Sequence, residues 1–367
     1  MTTTPACPPY LVTLITYACN YACPGCYHGH REEMRPYFEA KRKNMRLAEF
    51  RGIVDEVAPH RIKIGLNSLG EVFLNPDVYD MIAYAVGSGL RIEFDTNGSL
   101  LEPDALAEAA PSDVIFSVDG MSQESYASYR VNGRLDVVLG KLERFARNVD
   151  ARGTATNIYV KFLINGHNEH EVDEARRFVE SLPGVRFLVD CFFPPPPSFG
   201  YRLAHPDQVP LDIYEDWRPR KLAEYDLFAP HPELGVARSK TWDHPFAMRC
   251  TDIYNTLYVD TDGGAYPCCF ANTPRAHDLT RVQDELLLGN VFRDGVLGVF
   301  HGERAARLRE AYTRKQGRIP VCGTCRANRV KRLIQAVEGA KSHHFETLND
   351  FGRKPEQAGP KPAEDAR

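Results

Sequence analysis

The sequence predicts an α/β protein with parallel strands and helical crossovers, followed by a small β-hairpin-plus-helix domain that gathers cysteines. Three observations predict it. Short apolar, β-branched runs alternate with helix-period segments between Leu11 and Cys191, giving six strands, and such alternation implies parallel strands in one sheet. The run Phe192-Phe193-Pro194-Pro195-Pro196-Pro197 then ends the pattern, because consecutive prolines are neither helix nor central strand. Beyond it, Cys250, Cys268, Cys322 and Cys325 surround a hairpin signal.

The elements follow in order. Leu11–Thr16 (LVTLIT) reads as a buried strand. It delivers Tyr17–His30 (YACNYACPGCYHGH), which Asn20, Pro24, Gly25 and Gly29 keep as a loop. Met45–Ala58 is helical, with Leu47, Phe50, Ile53, Val54 and Val57 at helical spacing. Arg61–Leu66 is the second strand and Pro76–Val86 the next helix. Arg91–Thr96 with Leu101–Ala110, Asp113–Val118 with Leu135–Arg147, and Asn157–Ile164 with Glu169–Glu180 repeat the unit; Val185–Cys191 is the sixth strand. The reactive end of such a fold lies at the C-terminal ends of the strands, so each later strand ends facing the cysteine loop.

That loop holds Cys19, Cys23 and Cys26 as C-x3-C-x2-C. A redox dithiol has no need of Cys19 and normally opens a helix, which Pro24 and Gly25 break. A zinc site uses any three of these thiols. For a [4Fe–4S] cluster the array supplies one cysteine fewer than the usual four, leaving one iron open to a ligand that is not protein. His28 and His30 read as solvated loop histidines.

The array resembles the radical S-adenosylmethionine superfamily, and the resemblance covers most of residues 10–190 by element order. It implies a partial (β/α)6 TIM-like barrel. It also implies S-adenosylmethionine chelated to the open iron and cleaved to a 5′-deoxyadenosyl radical that takes hydrogen from an unactivated C–H bond. A flavodoxin- or ferredoxin-type protein is the implied electron donor. The family often has an aromatic residue before the third cysteine, where this chain has Gly25; Tyr27 is then the candidate to cover the adenine. Asn67-Ser68-Leu69-Gly70-Glu71 resembles the family's Gly-Gly-Glu segment, with Leu69 in place of the first Gly. Gly70 allows close backbone approach, Glu71 accepts from the cofactor's ammonium, and Ser68 stands beside them. Asp95-Thr96-Asn97-Gly98 and Phe116-Ser117-Val118-Asp119-Gly120 resemble the family's third and fourth strand ends, with Ser117 directed at the ribose and Asp119 orienting its loop. Lys161 lies inside an apolar strand that ends at Asn165, so it is either paired or facing a polar cavity; both residues are cofactor-binding candidates.

In the C-terminal part, Tyr254–Asp260 and Ala265–Phe270 flank the turn Thr261-Asp262-Gly263-Gly264. By spacing, Cys250, Cys268, Cys322 and Cys325 suit a zinc ribbon or a second cluster equally. The pattern C-x12-G-x4-C closed by C-x2-C resembles the twitch domain, the one-cluster relative of the SPASM domain. It implies an auxiliary [4Fe–4S] cluster held by those four cysteines, with Cys269 spare. The expected domains are 1–191 for the barrel, 192–243 for a connector packed by Trp217 and Tyr225, 244–336 for the auxiliary-cluster unit, and 337–367 for a tail.

Composition sets outer limits. The 367 residues carry a net charge of −4, which gives no reason to expect nucleic acid or an anionic membrane. Basic runs such as Lys41–Lys43 read as solvated helix faces. No apolar run reaches the ~18–20 residues of a membrane span, and the N-terminus lacks signal-peptide form, so a cytoplasmic, reducing location is expected. Ten cysteines fall far below the ~8–10% of a disulfide scaffold.

The twitch pattern resembles 2-deoxy-scyllo-inosamine dehydrogenase, aminoglycoside epimerases and several peptide-modifying enzymes. The expected reaction is dehydrogenation or epimerisation of a small polar metabolite such as an aminocyclitol, amino sugar or nucleoside sugar. The first strand begins near Leu11 and leaves no room for a preceding leader-binding domain, which inclines the reading away from peptides. Epimerisation needs a hydrogen-atom donor, for which Cys269 and Cys191 are the candidates; Cys7 is expected to be inert. The alternatives are a peptide-modifying radical enzyme and a non-catalytic iron–sulfur electron carrier.

Overall fold

The computed structural model describes residues 4–66, 69–191, 252–268, 271, 274–275, 278–282 and 286–314. Ser68, Cys250, Cys269, Cys322 and Cys325, together with the connector, the hairpin's Phe270 and the tail, lie outside the described residues.

Six strands follow the expected order: β1 (Tyr10–Thr13), β2 (Lys63–Gly65), β3 (Arg91–Thr96), β4 (Asp113–Ser117), β5 (Asn157–Ile164) and β6 (Val185–Cys191). All neighbours among them pair in parallel. The crossovers are α1 (Arg31–Glu39) and α2 (Leu47–Val57) before β2, α3 (Val78–Gly87) before β3 and α4 (Pro103–Ala109) before β4. Helices α5 (Gln123–Tyr129) and α6 (Leu135–Arg152) precede β5, and α7 (Val172–Glu180) precedes β6. This is the TIM-like partial barrel expected of the sequence. Helices α1 and α5 were not anticipated. The first reads REEMRPYFE with Pro36 inside it, and α5 is a short helix of about two turns started by the Ser122 side chain, which accepts from the Ser125 N–H.

Period-2 alternation sets the two faces of the sheet. Ile92 and Phe94, Val114 and Phe116, Ile158 and Val160 enter the core shared with the helices, where Phe50, Ile53, Met81, Leu142 and Phe145 meet them. The opposite, inner face is polar at its floor. Lys63 pairs with Glu93 and, at 3.2 Å, with Asp113. Arg91 reaches Asp113 at 3.1 Å, and the Tyr10 hydroxyl donates to Glu93. Gly65 makes that last contact possible, because a Cβ there would stand 2.4 Å from the Tyr10 hydroxyl.

The sheet does not stop at the barrel. After α8 (Asp252–Asn255), β7 (Thr256–Val259) pairs in parallel with β1, and β8 (Gly264–Tyr266) returns antiparallel to β7. A two-residue strand, β11 (Gly289–Asn290), extends it, while β9 (Pro274–Arg275) and β10 (Asp278–Val282) form a separate ribbon. Helices α9 (Val291–Asp294), α10 (Val296–His301) and α11 (Glu303–Arg314) follow. The order β11-β8-β7-β1-β2-β3-β4-β5-β6 makes one nine-stranded sheet.

Lys41 and Arg42 correct the reading of a solvated basic helix. They follow α1 in a loop, where Lys41 pairs with Asp260 at 2.5 Å with both side chains under a tenth exposed, and Arg42 pairs with Glu49. The Lys41 ammonium also lies over the rings of Tyr17 and Tyr37. Among the described residues no helix is long and apolar enough to cross a membrane.

Candidate active site

Strand β1 ends where the cysteine loop begins. A turn bonded from the Cys26 N–H to the Cys23 carbonyl at 2.9 Å, and from the Gly29 N–H to the Cys26 carbonyl at 3.0 Å, folds the loop back on itself. Cys23 is buried, Cys19 and Cys26 are half-buried, and all three are free thiols. Burial pushes Cys19 up to about 12 and Cys26 up to about 11, each also raised by the neighbouring cysteines; burial raises Cys23 too. Crowded thiols of this kind ionise when a cationic centre replaces their protons. Two sulfurs already receive donors: the Tyr21 N–H reaches Cys19 Sγ at 3.4 Å, and Arg130 Nη1 reaches Cys23 Sγ at 3.7 Å. In an iron–sulfur cube each thiolate holds a different iron, so the donor set fits the cluster.

The strand ends wall this loop. Gly70 sits so close to the loop's entry that a Cβ would meet the Ala18 carbonyl oxygen at 2.5 Å and that of Thr16 at 2.8 Å. The next residue bonds the same entry, from the Glu71 N–H to the Ala18 carbonyl at 2.7 Å. Glu71 is 3% exposed and accepts from the Thr96 hydroxyl at 2.7 Å and the Asn97 N–H at 2.8 Å. Burial raises its carboxyl to about 6 against those donors. Asn97 in turn donates to Asn20 at 2.9 Å, and Asn20 to Ser99 at 2.9 Å. The end of β3 thus grips both the loop and the Gly70-Glu71 segment.

Tyr27 is buried and stacked on Tyr37, with ring centroids 5.8 Å apart, so its ring supports the loop in an aromatic layer with Tyr17 and Phe38. Ser117 is buried at the end of β4, in register with Lys161. Lys161 is paired, its ammonium 2.7 Å from Asp95 on the inner face. The Asn165 side chain accepts from the His167 N–H at 2.9 Å. Cys191 ends β6 in register with Ile164, which packs with Phe162 and Val172. Cys7 is buried in the core and its thiol raised to about 11 by that burial, as an inert residue should be. Cys268 follows β8, half-buried against the cluster of Ile253, Tyr266 and Tyr312.

Three participants escaped sequence reasoning. His28 is buried, not solvated, and bonds the Leu69 carbonyl. Arg31 donates to the carbonyls of Cys19 and Tyr21 at 2.7 and 3.0 Å, holding the loop's backbone. Arg130 links Cys23 to Asp119. His28 and Arg31 had only their nearness to the cysteine loop as a signal, and Arg130, at the end of α5, had none.

A three-thiol loop at the mouth of a parallel partial barrel is the arrangement to set beside known families. Residues 13–179 match the radical SAM superfamily and residues 250–326 match the SPASM iron–sulfur cluster-binding domain. The chain therefore carries a radical SAM domain followed by a SPASM domain, which implies S-adenosylmethionine, a [4Fe–4S] cluster and auxiliary iron–sulfur ligation. Mycofactocin maturase MftC of Mycobacterium ulcerans (strain Agy99) is 24% identical over 303 residues, covering 77% of this chain and 71% of that protein. AdoMet-dependent heme synthase of Nitratidesulfovibrio vulgaris is 24% identical over 330 residues, covering 85% and 86%. Streptococcus suis SuiB bound to S-adenosylmethionine superposes with a TM-score of 0.57 at 14% identity, over 94% of this chain and 78% of that one, and shares the fold.

Proposed function

We propose that this chain is a radical S-adenosylmethionine enzyme that modifies a peptide. The observation that carries the reading is the similarity to mycofactocin maturase across 303 residues, spanning both the barrel and the SPASM domain. The shared fold with SuiB, also solved with its precursor peptide SuiA at a TM-score of 0.56, is compatible with it. The expectation of a small polar metabolite gives way to the alternative, because it leaned on where the first strand begins. That position says nothing about which protein or segment recognises a leader. Dehydrogenation and epimerisation lose their particular support with it, and with them the need for Cys191 or Cys269 as a hydrogen donor.

In this reading Cys19, Cys23 and Cys26 hold three irons of the N-terminal cluster, and Cys250, Cys268, Cys322 and Cys325 hold the auxiliary one. When bound, the first cluster and S-adenosylmethionine supply a carbon radical able to take hydrogen from an unactivated C–H bond. The chain's own work is to hold and shield that chemistry. Gly70 brings backbone against the loop entry, Glu71 offers a buried acceptor toward the cofactor's ammonium, and Lys161 with Asp95 places paired charge on the inner face.

The test uses anaerobically reconstituted full-length protein with dithionite and S-adenosylmethionine. Iron should approach eight per chain, at about four per [4Fe–4S] cluster. Cys19→Ala should abolish 5′-deoxyadenosine formation, while Cys268→Ala should lower iron yet leave that cleavage in place. Synthetic peptides matching short reading frames beside the gene should then change mass with concomitant 5′-deoxyadenosine. Turnover with an aminocyclitol and none with any peptide would overturn the peptide reading. No 5′-deoxyadenosine at all would leave an electron carrier.

A further inference from the structure

Arg130 is the one cation whose guanidinium reaches a sulfur of the cysteine loop among the described residues, and it is held from behind. It caps α5, its N–H bonding the Tyr126 carbonyl at 2.7 Å. Its Nε donates to Asp119, which is wholly buried and shares its other carboxylate oxygen with the Leu163 N–H at 2.8 Å. The Asp119 carbonyl accepts from the Asn168 side chain at 3.0 Å, so the carboxylate is fixed between the ends of β4 and β5. Nη1 is then left aimed at Cys23 Sγ, 3.7 Å away. The backbone on both sides is locked as well, since the Ala22 N–H bonds the Val131 carbonyl at 3.2 Å. The ring of Tyr129 lies beneath the guanidinium at 5.3 Å.

We infer that Arg130 is a positioning residue that fixes the Cys23 thiolate and, held by Asp119, raises the reduction potential of the N-terminal cluster. The inference rests on the reading that Cys19, Cys23 and Cys26 carry that cluster. Its physical basis is simple. Adding one electron, supplied by dithionite or a low-potential donor protein, makes the cluster more negative by one charge with no bond made or broken. A fixed guanidinium donating to a ligand sulfur stabilises the more negative state, and hydrogen bonds to the sulfurs are a recognised lever on such potentials. A fork-shaped donor already clamped by a carboxylate loses little freedom in making that bond.

The experiment is a dithionite titration of reconstituted full-length protein, followed by electron paramagnetic resonance without peptide. The N-terminal cluster is recognised as the signal that changes when S-adenosylmethionine is added. Arg130→Gln should retain iron and lower the midpoint of that signal by a tenfold change in the reduction equilibrium or more, about 59 mV for one electron. Asp119→Asn, which removes the carboxylate behind the guanidinium but keeps the cation, should not lower it as far as Arg130→Gln, and Arg130→Lys should recover part of the loss. An unchanged midpoint in Arg130→Gln with iron retained would overturn the inference. If iron is lost, the metal-free variants decide: wild-type melting of apo Arg130→Gln supports a role in holding Cys23, and early melting overturns it by showing that the residue only maintains the fold. A wild-type protein that takes up no S-adenosylmethionine-responsive cluster would instead sink the underlying functional reading.

Discussion

The His28 imidazole meets the Leu69 carbonyl at 2.6 Å, and its ring stacks on Phe38 with centroids 4.6 Å apart. A carbonyl only accepts, so Nε2 carries the proton, and burial pushes the ring's pKa down to about 4, which keeps it neutral. One side chain thus fastens the cysteine loop to the segment bearing Gly70 and Glu71.

Replacing His28 by Ala should cost about 1–3 kcal/mol, the penalty of a part-buried carbonyl left without its donor. Denaturant unfolding of the metal-free protein measures it. Reconstitution of His28→Ala should also bind S-adenosylmethionine more weakly than wild type. A variant indistinguishable in both assays would show that the bond fastens nothing.

Gly70 and Gly52 make a contrasting pair. A methyl at Gly70 meets two carbonyl oxygens below 3 Å, whereas one at Gly52, within α2, meets nothing within 4 Å. Gly70→Ala should destabilise by about 1–3 kcal/mol through forced backbone movement and depress 5′-deoxyadenosine formation. Gly52→Ala should stabilise by about 0.5–1 kcal/mol through helix propensity, with activity unchanged.

The Glu71 carboxyl, raised to about 6 mainly by burial, gives a pH signature of definite sign. It holds its proton more tightly folded than unfolded, so its contribution is complete below about 4.5 and is lost as pH rises through 6. The stability of Glu71→Gln relative to wild type should therefore improve between about pH 5 and about pH 7.5. A flat difference in metal-free protein would mean that the carboxyl is not desolvated.

Asp260→Ala strands the Lys41 ammonium in a buried, aromatic site. Breaking a buried pair from one side costs about 3–5 kcal/mol, and the melting temperature should fall accordingly. The double variant Lys41→Met with Asp260→Leu should regain most of the loss. Failure of the double variant to recover would point to the Thr261 hydroxyl, which donates to the Arg42 carbonyl at 2.6 Å, as the stronger tie.

Much of the barrel was legible because its strands are β-branched runs of the right length. Arg91–Thr96, Asn157–Ile164 and Val185–Cys191 match residue for residue. Helix α1 was not legible, since polar residues and Pro36 hide its buried Met34 and Tyr37. Lys41 was misread for a different reason: its partner Asp260 lies 219 positions away, and no local pattern reports that. His28 shares that defect, and Arg130, which drew no reading, meets Cys23 107 positions away. Their polar atoms are satisfied across the fold, so from neighbours alone a buried fastener and a solvated side chain look the same. Lys161 stood between two readings, and its ion pair with Asp95 is the plainer of them.

Strand β1 lies between β2 and β7, and the pairing joins Tyr10 to Thr256. On the ribosome, one flank of the first strand must wait for its neighbour while nearly 250 residues are added, roughly 12–50 s at ordinary elongation rates. During that interval the nascent sheet presents bare backbone donors and acceptors to any other extended chain. A holding chaperone should thus raise soluble yield more than any surface substitution, because the hazard belongs to the order of synthesis.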